Sequence, residues 1–190
     1  MSLFQSKFDI VSVDNPVALA ALAQVLEVGN IGPASNLYTG SGSPNDFSGG
    51  TPLQGGVSML PGTIVLIGPD GKAILGDAPI LATYDDSHIP VLPFVTIDGN
   101  TDYSGKFVRK ITVFQGGFTM VTDQFSLDTK GDGSEAGTFI PGHPVTFLGG
   151  KVIPRSGASA LRQIYGFVGP DGLNQAAGVL QVIVPQGASF

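Results

Sequence analysis

From Val57 onward, short apolar, β-branched runs alternate with turns built on Gly, Asp and Asn. That pattern predicts strands rather than helices. Thr63–Ile67, Lys72–Leu75, Val91–Ile97, Lys106–Phe114 and Phe118–Phe125 read as strands, with turns at Pro69-Asp70-Gly71, Asp98-Gly99-Asn100 and Gly116-Gly117. Pro144–Leu148, Lys151–Ile153, Ile164–Val168 and Gly178–Val184 continue the series. Strands so closely spaced, with no helical period between them, predict a mainly β chain. Its antiparallel sheets would close as small β-barrels or pack as a sandwich.

The pattern before Val57 differs. Asn15-Pro16 precedes VALAALAQVLEVG. Asn15 suits an N-cap, Pro16 a first helical position and Gly29 a C-terminal stop. Val17, Leu19, Ala20, Leu22, Val25 and Leu26 make a broad apolar stripe. One short helix is therefore predicted over 16–28. Ile31–Gly56 is punctuated by Gly, Ser, Pro and Asn and keeps no hydrophobic period. Residues 1–56 read as an extended N-terminal arm, with Phe4, Phe8, Tyr38, Phe47 and Leu53 as anchors.

The β region repeats itself in three ordered blocks. Leu60-Pro61-Gly62 matches Ile140-Pro141-Gly142, Val65 matches Val145, and Gly71-Lys72 matches Gly150-Lys151 after one deletion. Phe94-Val95-Thr96-Ile97-Asp98-Gly99 matches Phe167-Val168-Gly169-Pro170-Asp171-Gly172, and Ile111–Gly116 matches Val182–Gly187. Preserved order predicts two related β-units, 57–127 and 128–190, with Phe94 superimposed on Phe167.

Composition narrows what such units do. Charged residues are 13% of the 190, about half of the ~25% usual in soluble domains. Mean hydropathy is +0.27, yet no apolar run reaches the roughly 18 residues of a membrane span. The apolar excess therefore belongs in a core or in subunit contacts. Nine Lys and Arg against fifteen Asp and Glu leave no basic stripe for phosphates, so direct nucleic-acid binding is not expected. The chain has no cysteine, which removes disulfides, thiolate metal sites and a cysteine nucleophile. Its first residues do not read as a secretory signal.

Candidate chemistry is sparse. Asp85-Asp86-Ser87-His88 holds the letters of a hydrolase triad. Triad members converge from separate elements, though, and adjacent residues of one loop read as a polar turn. The other histidine, His143, lies in the second Pro-Gly turn. Asp128–Glu135 (DTKGDGSE) has part of a calcium-loop pattern, but Lys130 stands where an oxygen ligand belongs and Phe139 where the closing glutamate belongs. It reads as a solvated linker. Gly71-Lys72 and Gly150-Lys151 follow β-turns with no helix to receive an anion, so the lysines read as hairpin corners. No catalytic residue, cofactor or metal is expected.

The second unit also carries a family resemblance. Its Pro-Gly turn, Val145, Gly150-Lys151, Ile164-Tyr165-Gly166-Phe167-Val168-Gly169 and Gly178-Val179-Leu180-Gln181-Val182 resemble the small β-barrels of tailed-bacteriophage virion proteins. Head decoration (cement) proteins are the nearest kind, and the resemblance covers about Leu60 to Gln186. It implies a non-enzymatic structural protein that binds and stabilises the major capsid protein lattice, often as a homotrimer. Such a protein sits on the virion capsid surface and passes through the host cytoplasm during assembly, with no membrane partner. A tail-tube or connector subunit, or a carbohydrate- or receptor-binding β-module, are the alternative expectations.

Overall fold

The structure, a computed structural model, describes residues 6–14, 23–28, 59–69, 71–81, 90–99 and 110–186. Among them eleven strands form two antiparallel sheets, and neither closes into a barrel. The strands are β1 (Asp9–Val13), β2 (Gln24–Glu27), β3 (Ile64–Ile67), β4 (Ala73–Leu75), β5 (Phe94–Thr96) and β6 (Lys110–Phe114). Then follow β7 (Phe118–Thr122), β8 (Pro144–Leu148), β9 (Lys151–Pro154), β10 (Gly166–Asn174) and β11 (Val179–Val184). The five-stranded sheet runs β2-β6-β5-β3-β4, and the six-stranded sheet runs β1-β7-β11-β10-β8-β9.

The helix expected over 16–28 is corrected where the structure describes it. Gln24–Glu27 is a strand paired antiparallel with β6, Leu26 standing opposite Ile111, and Val28 bridges Ala73. Residues 16–22 lie outside the described residues. The apolar stripe at Val25 and Leu26 fits either period. The open edge of β6 offers backbone partners that an isolated helix end lacks, so the tertiary contact overrides the local pattern. Of the expected arm 1–56, the described stretches carry β1 and β2, edge strands of the two sheets; the anchors Phe4, Tyr38, Phe47 and Leu53 lie outside the described residues. The start of β1 is fastened by Asp123, whose carboxylate accepts from the Lys7 amide at 2.8 Å.

The repeat is visible in the sheet order. Leaving β1 aside, β2-β6-β5-β3-β4 and β7-β11-β10-β8-β9 are the same topology, each with the same chain order of strands. In each set the far edge strand is met by a parallel bridge from the chain after the first strand, Val28 to Ala73 and Phe125 to Val152. Among the described residues the matching sets of strands are β2 to β6 and β7 to β11. β7 opens the second set, as β2 opens the first.

The first block aligns as expected. Thr63 N–H donates to Leu60 O and His143 N–H to Ile140 O, both at 3.0 Å, closing equivalent Pro-Gly turns. Leu66 faces Ile74 and Thr146 faces Ile153 across matching hairpins. The later blocks shift. Thr96 N–H donates to Thr63 O, and Val168 N–H to His143 O. Thr96 thus corresponds to Val168, and Phe94 to Gly166 instead of Phe167. Thr96 pairs with Val113 and Val168 with Val182, so Val182 corresponds to Val113, two residues from the expected Ile111. A one-residue slip changes face and a two-residue slip does not. Phe94 and Phe167 accordingly point to opposite sides.

These registers decide how the units stack. Let the front of a unit be the side of Val65 or Val145. The front of the second unit, with Val145, Val152, Val168, Leu180 and Val182, lies in one core cluster with Ile64 and Val95 from the back of the first. The front of the first unit, with Val65, Ala73, Phe94, Ile111 and Val113, forms a separate buried cluster around Met59. The sheets thus pack front to back. Between the sheets, Gln163 fastens the two arches that precede β5 and β10. Its fully buried side-chain amide accepts from Val91 N–H and donates to Val91 O, each at 2.8 Å.

The equivalent glycines give a matched test. Gly62 and Gly142 both have positive φ, 87° and 80°. An added Cβ at Gly62 would strike Thr122 and the Phe8 ring, whereas at Gly142 it meets nothing. Gly142→Ala should cost about 1–2 kcal/mol of left-handed strain alone. Gly62→Ala should lower the urea midpoint distinctly further, because β1 must also move.

Candidate functional site

The polar groups of the described residues are mostly engaged with backbone. In the loop after β7, the Asp128 carboxylate accepts from Lys130 N–H at 3.0 Å and Gly133 N–H at 2.7 Å. The Gly133 amide, foremost, holds the Asp128 pKa below its usual value. Asp132 accepts from Ser134, side chain and amide, and its pKa is lowered for that reason. Glu135 accepts from Ala158 N–H at 2.9 Å and lies 3.7 Å from Lys130 Nζ. The acids of Asp128–Glu135 close turns and tie the loop to the 3-10 turn at Gly157–Ser159. Among the described residues no three His, Asp or Glu side chains converge as metal ligands.

His143 is exposed in its turn, and its backbone, not its imidazole, makes the bonds recorded there. Lys72 follows the turn of the β3–β4 hairpin and Lys151 opens β9 after Gly149-Gly150, so both are hairpin corners. Asp85–His88 lies outside the described residues. An open cleft of about 410 Å³ runs beside Asp77, Asp128, Lys130, Leu148 and Lys151. Its charges are mixed, Asp77 already accepts from Gly149 N–H at 2.5 Å, and no nucleophile–base pair is formed there.

Two internal polar groups escaped the sequence reading. Gln163 is one. Nothing in its neighbourhood of the chain distinguishes it, because its partners, Val91 and Pro79, are over seventy residues away. The other is Tyr165. Its ring meets Phe147 edge-on at 5.7 Å, and its buried hydroxyl has no hydrogen-bond partner among the described residues. It borders a cavity of about 10 Å³ with Leu92, Gln115 and Pro185, too small for an organic ligand. Burial pushes the Tyr165 pKa up.

The chain matches no protein-family model, no curated protein and no solved structure. Among the described residues no helix is long and apolar enough to cross a membrane.

The Tyr165 hydroxyl generates a prediction. Its folded pKa is raised above the ordinary 10.0, so above pH 10 the unfolded chain releases this proton while the native chain keeps it. Native stability should therefore fall with rising pH from about 10, by up to ~1.4 kcal/mol per pH unit from this group. Tyr165→Phe should flatten that decline and raise stability at neutral pH by about 1 kcal/mol, since an unpartnered buried hydroxyl is removed. Urea unfolding of both proteins at neutral and alkaline pH checks it.

Proposed function

We propose that this chain is a non-enzymatic structural protein of a tailed bacteriophage, a decoration (cement) protein that binds and stabilises the head lattice as a homotrimer. The observation that carries the reading is a duplicated antiparallel β-unit whose described polar groups are spent on turns and internal ties. Among the outward residues are the apolar Val11, Val25, Ile140, Leu161 and Ile183, on a chain with only 13% charged residues. Scattered apolar contacts with few charges suit lasting attachment to a protein surface. The resemblance of the Pro-Gly and Gly-Lys turns and of the strand from Gly166 to the phage β-proteins supplies the partner, the major capsid protein. Residues up to about Gly56 would add to the attachment.

Purified protein mixed with undecorated heads of the phage whose structural genes flank its own should co-sediment with the heads. It should also raise the temperature at which they release DNA. Absence of binding, or stacked rings formed by the protein alone, would contradict decoration, the second outcome favouring a tail tube.

A further inference from the structure

Residues 6–14 are held to the molecule from one side. β1 pairs with β7, and its register shifts between Ile10 and Ser12. Among the described residues no strand lies on its outer edge. No side chain from Ser6 to Asp14 is buried. Phe8 and Ile10 pack against the shared core but are only half-buried, and Val11 is 55% exposed. The strand beneath is the opposite case. Phe118, Met120 and Thr122 of β7 are at most 1% exposed, and its other edge pairs with β11 from Phe118 to Thr122. β7 therefore keeps its place in the sheet without β1.

The hold on β1 is concentrated at its start. One carboxylate oxygen of Asp123 accepts from Lys7 N–H at 2.8 Å, and the other lies 2.9 Å from Ser6 Oγ. Asp123 N–H returns a bond to Lys7 O at 3.1 Å. Gln124 Nε2 donates to the same carboxylate at 2.7 Å and so fixes its orientation. Ser6 Oγ also stands 2.8 Å from Pro61 O, and the Lys7 ammonium donates to Ala177 O at 2.5 Å. At the far end Asp14 N–H donates to Gly117 O at 2.9 Å. The segment thus crosses from the edge of the six-stranded sheet to the first Pro-Gly turn, where the Phe8 ring lies against Gly62.

A segment with few buried contacts and solvent-facing bonds opens at a lower free energy than the core it rests on. Bonds to a charged carboxylate are the stronger ones in such a set. We propose that residues 6–14 form a strap that lifts as one unit while both sheets stay folded, and that Asp123 is its latch. Seated, the strap covers the outer edge of β7, which would otherwise be a bare template for strand pairing. Lifted, it bares that edge together with Gly62 and Thr122 under the Phe8 ring. The proposal concerns the chain by itself and does not rest on the functional reading.

The test is hydrogen exchange of the full chain, read by mass spectrometry in urea concentrations below global unfolding. Amides of residues 8–14 should exchange together, at least about tenfold faster than those of β11 and with little dependence on urea. Asp123→Ala removes the latch and should speed exchange of residues 8–14 by roughly ten- to a hundredfold, leaving β11 unchanged. Asp123→Asn, which keeps a carbonyl acceptor without the charge, should speed the same amides by less. Exchange of residues 8–14 through the same opening as β11 would overturn the strap. Either variant speeding β11 as much as residues 8–14, or Asp123→Ala leaving residues 8–14 unchanged, would overturn the latch.

Discussion

The structure depends on one contact, the back of the first β-unit against the front of the second. Ile64 and Val95 of the five-stranded sheet enter the cluster formed by Val145, Val168, Leu180 and Val182 of the six-stranded sheet. Each such side chain, fully buried, contributes roughly 1.5–3 kcal/mol, and neither sheet can bury its share without the other. The two faces of β3 enter different clusters, Ile64 the shared core and Val65 the cluster around Met59.

Legibility in the chain followed the strength of local constraint. Mainly antiparallel β structure was readable because turns built on Gly71, Gly149-Gly150 and the Pro-Gly pairs need positive φ, which glycine adopts freely. The Pro-Gly blocks aligned in register for the same reason. The blocks at Phe94 and Ile111 did not, because runs of Val, Ile and Phe resemble one another at shifts of one or two residues and no turn pins them. Gln24–Glu27 misread as helix because its apolar spacing suits both periods, and only the edge of β6 decides between them. That error hid β2, the counterpart of β7. Gln163 and Tyr165 were not legible at all, since a buried amide and an unpartnered hydroxyl are defined by residues far along the chain.

The proposed function rests on what the fold leaves over. Asp128, Asp132 and Glu135 serve turns, Gln163 serves the arches, and Thr96 donates to Leu60 O at 2.7 Å inside the core. Groups locked in this way are poor acids, bases or ligands, because each is satisfied by a backbone partner it would have to abandon. The exposed apolar residues Val11, Val25, Ile140, Leu161 and Ile183 are what the proposed attachment would use.

Native-state hydrogen exchange across a denaturant series tests the front-to-back core most directly. The account predicts that amides of β3 and β5 and those of β8 and β11 exchange through one common global opening, with the same free energy and the same denaturant dependence. Exchange of the β3 and β5 amides through an opening well below that of β8 and β11 would contradict it, since the two sheets would then be held by separate cores.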